Sequence, residues 1–72
     1  MAVEVRISDP ILLEELISAF RKSGCVAHRS SADSCRVAQL YGADDKEALH
    51  ELVFFVRAWQ LTQPTVSAVV IA

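Results

Sequence analysis

The chain has 72 residues, of which 53% are hydrophobic, and a net charge of −2; this leaves room for one domain around one core and supplies no basic field for nucleic acid or phosphate. No apolar run reaches the roughly 18 residues of a membrane span, and strand-like alternation begins at once, without a charged-then-apolar leader; a cytoplasmic protein with reduced cysteines is expected. So short a chain buries only about 60% of its unfolded surface, and its apolar share exceeds the roughly 45–50% of average domains, so association with another copy is the economical way to hide the excess.

The first predicted element is "AVEVRI" (Ala2 to Ile7), with Val3, Val5 and Ile7 on one face and Glu4 and Arg6 on the other, the signature of a half-buried strand. Asp9 and Pro10 come next: a carboxylate that can cap free N–H groups, then a ring whose φ suits the first helical position. Leu13, Leu16, Ile17 and Phe20 recur at helical spacing, with Glu14, Glu15, Arg21 and Lys22 on the wet side. Acids lie early and bases late, as the helix dipole favours. Gly24 ends this helix, because glycine takes the left-handed conformation at low cost.

"CVAHRS" (Cys25 to Ser30) and "SCRVAQLY" (Ser34 to Tyr41) are short β-prone segments around the turn "SAD". The second helix starts at Asp44, which has capping-box spacing to Glu47; Leu49, Leu52, Val53, Val56 and Trp59 form its expected core stripe. Pro64 ends it, and "TVSAVVIA" (Thr65 to Ala72) reads as a nearly continuous apolar strand.

The order β-α-β-β-α-β, with two right-handed crossovers, predicts a single ferredoxin-like α+β sandwich over residues 1–72. Four antiparallel strands form one sheet, and both helices lie on one of its faces. The first and third strands take the centre, which leaves the last strand on an edge.

With "VRISDPILLEELISAFRKSGCV" placed on strand, turn and helix, the first third of the chain resembles an ACT domain, a small regulatory module of amino-acid metabolism. The resemblance rests on Asp9, Pro10, Leu12 and Leu13 at the junction of strand and helix. It implies pairing between domains and a ligand-binding turn at Ser8 and Asp9. Ile11 departs from the pattern, standing where the family's glycine would admit a ligand close to the backbone. The alternative role for Asp9-Pro10 is a helix cap alone. Two other users of this fold are excluded by missing residues: "ISDPILL" lacks the Cys-x-x-Cys of heavy-metal-associated domains, and "AVEVRI" lacks the stacking aromatics of RNA-recognition motifs.

Catalytic vocabulary is sparse. If the hairpin turns near Ala32, Cys35 pairs with Arg29 or Ser30, and Cys25 lies beyond disulfide reach. Cys25 and His28 point to opposite faces of an extended strand, and His28 and His50 fall on different elements, poorly placed for a metal. His50, near Lys46 and Arg57, reads as part of a solvated face; Glu14 and Glu15 diverge, and Ser30, Ser31 and Ser34 are turn residues. Hairpin register stays open: either Cys25, Ala27, Cys35 and Val37 face the helices, or Val26, His28, Ala38 and Leu40 do.

The expected function is a non-enzymatic interaction or regulatory module that homo-oligomerises through its sheet, a dimer being favoured, without cofactor or metal. Its interface residues are expected among Val66, Val69, Val70, Ile71 and the off-stripe Phe54, with Leu61 beside it. The alternatives are a sensor for a small amino-acid-like molecule at a dimer seam beside Ser8 and Asp9, and a small dimeric αβ-barrel-type enzyme with an interior cavity lined by His28.

Overall fold

The computed structural model describes residues 2–39 and 44–71. Leu40 and Tyr41, read above as the end of the third strand, lie outside the described residues, as does Ala72. The elements are β1 (Ala2–Ile7), one 3-10 turn (Pro10–Leu12), α1 (Leu13–Lys22), β2 (Cys25–Arg29), β3 (Ser34–Gln39), α2 (Asp45–Leu61) and β4 (Ala68–Ile71). The sheet order is β2-β3-β1-β4 with every neighbouring pair antiparallel. This is the ferredoxin-like α+β arrangement, with β2 and β4 on the edges.

Local chemistry explains the helix ends. The Ile11 N–H donates to Asp9 Oδ1 at 3.1 Å, and Pro10 occupies the first turn. That turn is 3-10 rather than α, and the regular helix starts three residues later than Pro10, at Leu13. Gly24, at φ +93°, follows the last turn of α1, a conformation that costs a residue with a Cβ far more than glycine. At the start of α2, Asp44 Oδ1 accepts from the Glu47 N–H at 2.9 Å.

The core lies between one sheet face and both helices. Val3, Val5, Ile7, Ala27, Cys35 and Val37 from the sheet join Leu13, Leu16, Ile17 and Phe20 of α1 and Leu52 and Val56 of α2 in one buried cluster. Every core residue expected on α1 is therefore buried. Helix α2 is seated differently: Ala48, Leu52 and Val56 are buried, and Leu49, Phe55 and Trp59 pack partly buried beside them. Phe55, absent from the expected stripe, stacks on Phe20.

Pairing resolves the hairpin register. Cys35 lies opposite Arg29 and Cys25 opposite Gln39, so Cys25, Ala27, Cys35 and Val37 take the helix side. Val26, His28, Arg36 and Ala38 take the open face. Among the described residues of the apolar C-terminal segment, the strand covers Ala68–Ile71. Val66 is buried before β4 begins, its N–H donating to the Gln63 carbonyl at 3.0 Å.

Candidate functional site

The residues expected to bind a ligand are engaged in holding the fold. Asp9 caps the 3-10 turn, and Ser8 Oγ accepts from the Ser67 N–H at 2.9 Å while the Ser8 N–H donates to the Ser67 carbonyl at 2.8 Å. Ser8 thus fastens the end of β1 to the start of β4. Ile11 projects from the turn, 86% exposed.

Nucleophiles and bases are scattered. The Cys35 thiol is wholly buried, and burial, with the Glu4 carboxylate next in effect, pushes it up to about 11. Cys25, half-buried, has the Ser23 hydroxyl at 3.7 Å. Both cysteines are free thiols. His28 stands exposed on the open face, on the far side of the sheet from the helices, so it lines no cavity between helices and sheet. His50 is exposed on α2. Among the described residues no three His, Cys, Asp or Glu side chains gather to hold a metal ion.

The polar groups with clear partners serve as clamps. Arg29 reaches Glu14 on α1 at 3.2 Å and donates to the Ala32 carbonyl at 3.0 Å, tying β2, α1 and the hairpin turn together. The buried Ser34 hydroxyl is bonded to those of Ser30 and Ser31. Exposed ion pairs such as Arg29–Glu14 contribute little to stability, so their value is positional.

The expected interface residues divide. Val66 is 3% exposed and Val70 packs against the core, so both belong to the interior of one chain, and neither faces the open sheet surface. Val69 (57% exposed) and Ile71 (39%) stand on the open face, at the edge. Phe54 is exposed but lies elsewhere, lining a concavity of 280 Å³ with Ser23, Cys25 and Gln39. The open face itself is less apolar than composition suggested. Arg36 lies 3.9 Å from Glu4 at its centre, with His28 and Arg6 on the same face, and the exposed branched residues Val26, Val69 and Ile71 are confined to the edge strands.

The edges differ in a way that side-chain patterns did not reveal. In an antiparallel strand the N–H and C=O of one residue point to the same side, and successive residues alternate. The Ile7 N–H donates to the Asp33 carbonyl, on the β3 side, and the Ser8 N–H to the Ser67 carbonyl, on the β4 side. Counting back through the β1–β4 register, Val69 and Ile71 direct their backbone groups toward β1. Ala68 and Val70 direct theirs outward, where no partner is found among the described residues. On the opposite edge, the outward carbonyl of Ala27 accepts from Arg21 Nε of α1 at 3.0 Å. Beside β4, Val53, Val56 and Arg57 of α2 and Ala68 to Val70 bound a groove of 200 Å³.

No helix among the described residues is long and apolar enough to cross a membrane. Comparison with family models, with curated proteins and with solved structures gives no match.

Proposed function

We propose that the chain is a non-enzymatic interaction module, an ACT-like ferredoxin fold that pairs with a second copy of itself through its sheet. The observation that carries this reading is the composition of β4. One short strand combines unpaired outward backbone groups at Ala68 and Val70 with exposed branched side chains at Val69 and Ile71. Native proteins usually blunt such an edge with charge, proline or a bulge, and Ala68–Ile71 has none of these. Pairing would remove apolar surface from water at about 25 cal/mol per Å², set against the cost of association.

A regulatory pairing role also fits the way Ser8 and Asp9 are employed. Their side chains secure β4 and the start of the helical segment, which favours an assembly function over a ligand pocket in that turn. The two unlinked thiols fit a reducing cytoplasm. Sedimentation velocity over a concentration series tests the reading: a species of twice the chain mass is expected, and a protein still monomeric at high micromolar concentration overturns it.

A further inference from the structure

We infer that two copies join edge to edge through antiparallel β4 strands, with Val69 of each on the two-fold axis, to make one continuous eight-stranded sheet. This rests on the proposed pairing through the sheet and specifies its geometry. Two constraints choose the register. Residues directly opposite each other in a sheet share a face, so a one-residue slip that set Val69 against Val70 of the other copy would oppose an open-face side chain to a helix-side one. Only registers centred on a residue satisfy this. The second constraint is hydrogen bonding, since within Ala68–Ile71 the outward groups belong to Ala68 and Val70.

Centring on Val69 sets Ala68 against the second copy's Val70, and Val70 against its Ala68. Both are hydrogen-bonded pairs, each exchanging two N–H···O bonds, so every outward group of both strands is used. Centring on Val70 or on Ala68 leaves one such pair within the strand. Val69 then forms the non-hydrogen-bonded pair at the axis, where side chains approach most closely; its exposed branched side chain meets its own copy on the open face.

The helix side is complementary as well. The small Ala68 side chain lies opposite a valine, and the groove bounded by Val53, Val56 and Ala68 lies on that side to receive it. The seam brings no like charges into direct opposition, because β4 has no charged residue. Self-complementarity of this kind is what a two-fold interface requires. It favours a second copy over an unrelated strand.

Cysteine cross-linking tests the geometry, in a Cys25→Ser background that leaves only the buried Cys35. Across the axis the two Val69 Cα atoms would stand roughly 4.5 Å apart, within disulfide range. The two Ile71 positions would be four residues apart along the strands, roughly 13 Å at about 3.3 Å per residue. Under a glutathione redox buffer, Val69→Cys should shift to twice the monomer mass on a non-reducing gel, and Ile71→Cys should not. Circular dichroism establishes that both exposed-site variants are folded. If wild type sediments as a dimer but Val69→Cys fails to link, or Ile71→Cys links in its place, the register is wrong while pairing through the sheet survives. If wild type is monomeric at high micromolar concentration, register and pairing fall together.

Discussion

Phe20 and Phe55 stack with ring centroids 4.7 Å apart and planes inclined by 29°. The pair joins α1 to α2 above the sheet, the one ring fully buried and the other at the margin of the core. Phe20→Ala should cost roughly 3–5 kcal/mol, enough to unfold much of a domain this small, and Phe55→Ala should cost less. A double-mutant cycle by urea denaturation should return a coupling of about 0.5–1.5 kcal/mol. Additive losses would mean the rings share a neighbourhood without an energetic contact.

Asp9→Ala removes the acceptor for the Ile11 N–H, and about 1 kcal/mol of stability should go with it. Sedimentation should be unchanged, because the Asp9 carboxylate bonds within its own turn and not to β4. A variant of unaltered stability that had lost a thermal-shift response to amino acids would show a ligand role for Asp9 in place of the cap.

Val69→Lys and Val70→Lys separate interface from interior. Val69 is mostly exposed, so its lysine variant should keep native circular dichroism and sediment as a smaller species. Val70 packs against the core, and lysine there should cost roughly 1–3 kcal/mol in the fold itself. Light scattering with chemical denaturation on both variants distinguishes the outcomes; a Val69→Lys protein that remains dimeric would remove β4 from the interface.

The cysteines should differ in reactivity and in their effect on stability at alkaline pH. A thiol reagent should label half-buried Cys25 in the native protein and wholly buried Cys35 only after unfolding. Burial, followed by Glu4, raises the Cys35 thiol from 9.0 to about 11, so the folded state holds its proton where the unfolded chain releases it. The stabilisation is complete below pH 9 and fades as pH rises through about 11. Cys35→Ala should therefore start less stable at neutral pH yet decline less between pH 9 and 11. Parallel alkaline unfolding curves would contradict this assignment.

The first half of the fold was legible because its periodicities are clean. β1 alternates strictly, and the apolar residues of α1 occupy one narrow stripe between charged neighbours. Helix α2 carries Val53, Phe54, Phe55 and Val56 in a row, so apolar residues surround its axis and spacing alone could not say which side is buried. Spacing does not single out Phe55 for that reason, and Trp59, on the expected stripe, is only partly buried. The last strand misled in a related way. "TVSAVVIA" reads as one apolar run, yet Val66 enters the core from a loop, and among the described residues of the segment the strand that pairs with β1 is Ala68–Ile71. The candidate site was half legible: Val69 and Ile71 could be named from alternation, but the outward groups of Ala68 and Val70 are backbone atoms, fixed by hydrogen-bond parity.

The contact from Arg21 to the Ala27 carbonyl bears on how far association can proceed. A sheet with two receptive edges can add copies at both ends and grow into a ribbon without limit. Here the guanidinium occupies an outward acceptor of β2, and a strand arriving there would have to displace it. If copies pair through β4 as proposed, an obstruction at the Ala27 carbonyl would leave each copy a single valence. Growth would stop at two, and an Arg21→Ala chain that formed long polymers would reveal a side chain on α1 acting as the terminator.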